Sequence, residues 1–148
     1  MVARFMISPK LTGTILDDTF GTPTENYAST DIYVGLGINF DEEAFEFTKE
    51  PVSKGFTIVP APCIFSEPAN GIIRNTNAIK WPKATQDWTG IGETINYIGL
   101  YYRFDGTTAG NYTYELVAVL PLMPPESVLA NETMVLNPNA IQLRLSNR

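Results

Sequence analysis

The sequence predicts an all-β protein: an antiparallel β-sandwich, immunoglobulin-like or jelly-roll-like, preceded by a short N-terminal helix. Three observations point there. From residue 31 onward, apolar residues recur with a period of two in short runs. Gly, Pro and Asn clusters, which punctuate turns, separate those runs. The 16 threonines and 11 asparagines suit strands and turns respectively. No strand–helix alternation of the kind that builds a doubly wound sheet is present.

The helix is expected in SPKLTGTILDDTF. Ser8 can cap it and Pro9 suits a first helical position. Leu11, Ile15, Leu16 and Phe20 fall near helical spacing, and Gly21 and Pro23 stop it. The period then changes. In DIYVGLGI, Ile32, Val34, Leu36 and Ile38 share one face of a half-buried strand, with Tyr33, Gly35 and Gly37 on the other. The acidic stretch NFDEEAFEFTKEP reads as a loop or irregular edge, GFTIV as a short strand and PAPC as a proline-marked break.

GIIRNTNAIKW reads as one strand ended by Pro82. Ile73, Asn75, Asn77, Ile79 and Trp81 lie on one face; Ile72, Arg74, Thr76, Ala78 and Lys80 lie on the other. KATQDWTGIG is a loop. ETINYIGLYYRF is a strand with Ile98, Leu100, Tyr102 and Phe104 together, and DGTTAGN supplies the hairpin turn. YTYELVAVLPL pairs back with Tyr114, Leu116, Ala118 and Leu120 on one face. VLANETMVL and AIQLRLS close the chain, the latter with Ile141, Leu143 and Leu145 inward and Gln142, Arg144 and Ser146 outward.

The 148 residues suit one domain, 1–148, in which 1–30 form an N-terminal arm carrying the helix. A hydrophobic share of 44% supports a core. The charged share of 18% is below the roughly 25% of an ordinary soluble domain. A surface so lightly charged is poorly defended against association, which suits an assembly subunit. The net charge of −6 comes without any Lys/Arg stripe, so nucleic acid is not an expected partner. MVARFMISPKLTG shows no sustained apolar run and no small-residue cleavage site, and no apolar run approaches a bilayer span. A protein folded in the cytoplasm with no membrane role is expected. The lone Cys63 fits a small buried apolar residue.

Chemistry is mostly missing. With no histidine, Ser-His-Asp and Cys-His pairs and the usual zinc sites are excluded; with one cysteine, iron–sulfur and dithiol chemistry is excluded too. Carboxylates could in principle form an acid–base pair: Asp17, Asp18, Asp41, Glu42, Glu43, Asp87, Glu93 and Glu115. Adjacent carboxylates are more often solvated, and Asp41-Glu42-Glu43 lacks the spacing of a calcium loop. Gly90-Ile91-Gly92 lacks the surroundings of a phosphate loop and reads as a permissive turn. No catalytic, cofactor-binding or metal-binding residue is expected, and no cofactor. The aromatics Trp81, Trp88, Tyr97, Tyr101, Tyr102 and Phe104 could stack on sugar rings, plug a core or cover a subunit interface. Trp81, at a strand end, is expected to be buried. Trp88, Tyr97 and Tyr101 are the expected interface residues, with Trp88 the best placed to meet a neighbour.

Six stretches, LTGTILDDTFG, DIYVGLGI, FSEPANG, NTNAIKWPKATQDWTGIGETINYIGLY, DGTTAGNYTYELVAVLPL and NETMVLNPNAIQLRL, occur in this order with no large gap between FSEPANG and the end of GLY. In that order they resemble a family of small tail-fibre-like structural proteins of tailed bacteriophages. Its members carry a short helix, an "LYVALHT" strand, a block opening "FSAPANG" and a "GDTLTFPAGALTITL" end. The likeness covers most of the chain after Leu11 and is most specific over Phe65–Tyr101. Tyr97 stands where the family often has histidine, Phe40–Pro60 is more acidic, and the hairpin around Asp105–Asn111 is longer. The resemblance implies a non-enzymatic virion protein. It would be made in the host cytoplasm, present in several copies, and bound to itself and other virion proteins at the tail, fibre base or neck. A capsid-decoration or head-fibre role is the alternative within that class. A carbohydrate-binding module touching host glycans, with Trp88 and Tyr101 as its stacking platform, is the alternative outside it.

Overall fold

A computed structural model describes residues 6–8, 32–51, 63–66, 72–105 and 112–144. Among them every regular element is a strand, and all the pairings are antiparallel. The strands are β1 (Met6–Ile7), β2 (Ile32–Gly37), β3 (Asn39–Asp41), β4 (Glu46–Lys49), β5 (Ile72–Arg74), β6 (Ile79–Lys80), β7 (Ile95–Asp105), β8 (Tyr112–Glu126), β9 (Val135–Leu136) and β10 (Gln142–Arg144). Of the predicted helix only Ser8 is described. Its N–H donates to Val117 O at 2.8 Å, so it continues the β1–β8 ladder. The remainder of that helix, the GFTIV strand and the turn residues 106–111 lie outside the described residues.

The largest sheet has the order β1-β8-β7-β2. Strict alternation in DIYVGLGI and ETINYIGLYYRF sets its centre, where Val34 pairs with Leu100 and Leu36 with Ile98. The β8 partner is less regular than its sequence suggests. Leu100 pairs with Ala118, but Tyr101 pairs with Leu116, leaving Val117 as an extra residue. Such a bulge moves the residues beyond it to the opposite face. Tyr114, Leu116, Ala118 and Leu120 therefore do not share a face. Ala118 and Leu120 lie with Leu100 and Ile98, whereas Leu116 and Tyr114 lie with Tyr101 and Arg103.

GIIRNTNAIKW is two short strands rather than one. Residues 72–74 pair with β10 and residues 79–80 pair with β9. The break centres on Asn75, which is fully buried. Its side-chain oxygen accepts from Ile141 N at 2.8 Å, and its amide donates to Asn77 O at 2.8 Å and Asn137 O at 3.1 Å. Asn139 N donates to Asn75 O at 2.9 Å. An amide that satisfies backbone on both sides of a kink outweighs the ladder bonds that a straight strand would keep. NFDEEAFEFTKEP, read as a loop or irregular edge, is more ordered than a loop: it folds as the β3–β4 hairpin, with a register irregularity between Asn39 and Phe40.

One buried cluster joins these pieces. Val34, Leu36, Ile98, Leu100, Ala118 and Leu120 come from one face of the large sheet, and Val117 joins them. Ile79, Trp81, Trp88, Met134, Leu136 and Ile141 meet them from the β5–β10 and β6–β9 side. Segment 63–66 ties the two sides together. Cys63 N donates to Ile32 O at 2.7 Å, while Ser66 N reaches Arg74 O and Thr76 N reaches Ile64 O, both at 2.8 Å.

Candidate functional site

The three expected interface residues fall in two places. Trp88 belongs to the core: like Trp81 it is only 1% exposed. The expectation that it meets a neighbour fails, because the loop bearing it is not a free loop. Trp81 N donates to Met134 O at 3.0 Å, Ala84 N to Glu132 O at 2.9 Å and Trp88 N to Val128 O at 2.8 Å. Asp87 Oδ1 accepts Ala130 N at 2.9 Å. Backbone pairing on this scale rolls both indoles inward, where each buries a large apolar area. Trp81 meets its expectation of burial.

Tyr97 and Tyr101 lie on the opposite face of the large sheet. Register places Tyr97, Gly99 and Tyr101 across from Gly37, Gly35 and Tyr33. The glycines leave a bare floor, and the Phe47 ring lies on it. A Cβ at Gly37 would stand 2.3 Å from that ring and one at Gly99 2.7 Å from it, closer than real Cβ contacts allow. Phe40 joins the cluster, with ring centroids 5.1 Å from Phe45, 5.8 Å from Phe47 and 5.9 Å from Tyr97. The first two contacts are edge-on, which suits aromatic quadrupoles, and the third is tilted.

The hairpin is tied down at several points. Asp41 Oδ1 accepts Glu43 N at 2.9 Å and Ala44 N at 3.2 Å, so Asp41 caps the turn. Ile38 N donates to Lys49 O at 2.9 Å, and Asn96 Nδ2 donates to Ile38 O at 2.9 Å. Lys49 pairs with Glu93, whose other oxygen accepts Gly90 N at 2.7 Å. Of the carboxylates weighed for acid–base chemistry, Asp41, Asp87 and Glu93 are thus engaged in holding backbone. Gly90-Ile91-Gly92 is a turn, with Gly92 at φ +76°.

A groove of about 550 Å³ opens where the hairpin meets β8. Its aromatic walls are Phe45, Phe47, Tyr101 and Tyr114, and Glu46, Glu50 and Glu115 line it as well. Burial, reinforced by the nearby Glu50 carboxylate, holds the Tyr101 phenol well above its usual range. Burial also raises Glu50 itself. Just beyond Tyr114, its ring meets Tyr33 edge-on at 5.6 Å. The Arg103 guanidinium sits 5.1 Å from the Tyr33 ring centroid and donates to its hydroxyl at 2.7 Å. A groove with these walls can take a cation by charge and ring face, or hydroxyls by hydrogen bonding.

Sequence reasoning selected Tyr101 and Glu115 from this groove and missed Phe45, Phe47, Glu46, Glu50 and Tyr114. A readable signal was present: FEF in an otherwise acidic stretch, with glycines alternating in DIYVGLGI. Elsewhere Ile91 and Leu129 are exposed beside a recess of about 320 Å³, and Met123 and Val135 beside one of about 380 Å³. Among the described residues no group of three or more Cys, Asp or Glu is placed to hold a metal ion, and no helix is long and apolar enough to cross a membrane. No family model matches the chain, and no curated protein matches it.

Proposed function

We propose that this chain is a structural subunit of a tailed-bacteriophage virion: one β-sandwich domain, residues 1–148 with an N-terminal arm over 1–30, that carries out no reaction. In this reading the four-stranded sheet is one layer, the β5–β10 and β6–β9 ladders form the other, and the Trp81/Trp88 cluster fills the space between. Several copies assemble at the tail, fibre base or neck, contacting one another and other virion proteins. Nucleic acid and membrane are not partners.

The observation that carries the reading is how polar residues are used in Phe65–Tyr101, the block that most resembles the tail-fibre-like family. Asn75, Asn77, Asp87 and Glu93 each accept a hydrogen bond from a backbone N–H. Their chemistry is engaged in shaping loops, as a scaffold requires and as a catalytic cleft does not. Exposed Ile91, Leu129 and Met123 offer apolar contact to neighbours. The glycan-binding alternative loses the platform first expected for it, since Trp88 is buried and Tyr101 is only 8% exposed.

Light scattering on the purified chain, together with mass spectrometry of purified virions, tests the proposal. Oligomers in solution and the chain in the particle are the expected results; its absence from virions sinks the reading. Labelling the chain on particles separates a tail position from a capsid-decoration or head-fibre position.

A further inference from the structure

We propose that the groove between the β3–β4 hairpin and β8 receives a basic side chain, an arginine or lysine carried on an exposed segment of a partner protein. The inference names the chemistry of one assembly contact and rests on the assembly reading above.

Charge selects the class of guest. Among the described residues the groove lining includes no lysine or arginine, while Glu46 and Glu50 both reach it. Neither carboxylate has a hydrogen-bond or ion-pair partner among the described residues. Glu50 is exposed enough for a cation to reach it, and partial burial raises its carboxyl, so an arriving cation would favour its charged form. A chain of net charge −6 favours approach of a basic segment over an acidic one.

The walls then narrow the choice. Four rings, those of Phe45, Phe47, Tyr101 and Tyr114, face a space of about 550 Å³. A guanidinium or ammonium over a ring face is favourable, and more so when partly desolvated. The same sheet face already contains such a pair. Arg103 lies 5.1 Å from the Tyr33 ring centroid, and that ring touches Tyr114. A guest cation against Tyr114 would extend this alternation by one ring. Tyr101, at 8% exposure, lacks the open ring surface that a stacked sugar needs. The walls are also preformed, because Phe47 is locked over Gly37 and Gly99. Little ordering is then required on binding.

The test uses the full chain, labelled for NMR, titrated with a short peptide alternating glycine and arginine and with its citrulline counterpart, which has nearly the same shape and no charge. The expected result is shifts confined to β4, Tyr101, Tyr114 and Leu116. The citrulline peptide should bind at least about tenfold more weakly. The double variant Glu46→Gln/Glu50→Gln should lose a similar factor, and Tyr114→Leu should lose affinity with no change in charge. Glu126→Gln, which removes a carboxylate elsewhere, should stay within about twofold. Thermal melting of each variant confirms that it folds. Equal binding of the citrulline peptide, wild-type affinity in the double variant, shifts elsewhere or no binding overturns the proposal. So does an oligosaccharide that is bound or cleaved at these residues, which would return the groove to a glycan role. Virion composition is measured independently, so failure here leaves the scaffold reading standing.

Discussion

The two faces of the large sheet are sealed by different means. The inner face carries its own large side chains, Val34, Leu36, Ile98 and Leu100, and meets the two tryptophans. The outer face is nearly bare at its centre, where Gly35, Gly37 and Gly99 lie side by side, and it is covered by a ring from another segment. On the inner face, burial is built into each strand. On the outer face it depends on a hairpin arriving and staying. Removing an inner side chain leaves a cavity in a closed core; moving Phe47 uncovers a surface that solvent can rewet.

The largest test of that contrast is Trp81→Ala or Trp88→Ala. Each should cost about 3–5 kcal/mol in denaturant unfolding, since a large buried side chain is lost from a core with little room to collapse. Cys63 provides a second readout. It is buried in the same cluster, and burial pushes its thiol up to about 12, so a thiol reagent should react slowly with the wild type. The tryptophan variants should label much faster. A Phe47→Ala variant, disturbing only the outer face, should keep Cys63 protected. If Cys63 labels equally fast in both, the two faces are not independently sealed.

Asn75→Ala should rank next, at about 2–3 kcal/mol, because Ile141 N is left buried without its acceptor and two carbonyls lose a donor. Asn75→Asp should be no better, since it supplies the acceptor but not the donors. If alanine proves neutral by chemical denaturation, the kink is held by the flanking ladders alone.

The same contrast explains what the sequence made readable. Period-two alternation placed β2 and β7, because strands buried through their own side chains write that period into the chain. It failed where burial is achieved in another way. The β8 bulge shifts the period by one residue and leaves no mark in YTYELVAVLPL. Asn75 reads only as a polar position on the face it shares with Ile79 and Trp81, since nothing local tells that it ends one strand by bonding to partners some sixty residues away. Trp88 sits among turn residues, and only backbone pairing with 128–134 turns it inward. The groove was the least readable part. Two of its rings, Phe45 and Phe47, come from a stretch whose acidic residues signalled solvent, and the place of Phe47 is set by glycines that read as mere gaps. The expected N-terminal helix beyond Ser8 and the expected GFTIV strand lie outside the described residues.

The outer face makes its own prediction. Gly37→Ala places a methyl group within the Phe47 ring, and should cost about 1–3 kcal/mol as an overpacking substitution. Combined with Phe47→Ala, whose ring is then absent, the glycine substitution should become nearly neutral. A double-mutant cycle over the four proteins should therefore show strong coupling. Simple additivity would mean that Phe47 does not rest on the glycine floor. The Arg-peptide shifts expected at β4 should also vanish in Gly37→Ala, linking the floor to the groove.

The smallest effect belongs to the Lys49–Glu93 pair at the hairpin's edge. The hydrogen bond from Lys49, helped by that from Gly90 N, holds the Glu93 carboxyl below its ordinary 4.5. A carboxylate whose folded pKa is depressed adds stability that is fully present above the unfolded pKa and disappears as pH falls through the folded one. Solvent reaches both partners, so screening keeps the contribution small. Thermal melting of wild type and Lys49→Met should thus differ slightly at neutral pH, and the gap should close below the ordinary carboxylate range and also in high salt. Because Lys49 ends β4, the substitution should loosen the hairpin more than the core. Hydrogen exchange should quicken at Phe47 and Lys49 while the amides of Val34 and Leu100 keep their protection. Equal loss at both sets would mean that the outer face cannot open without the inner one, and that the hairpin is part of a single cooperative unit.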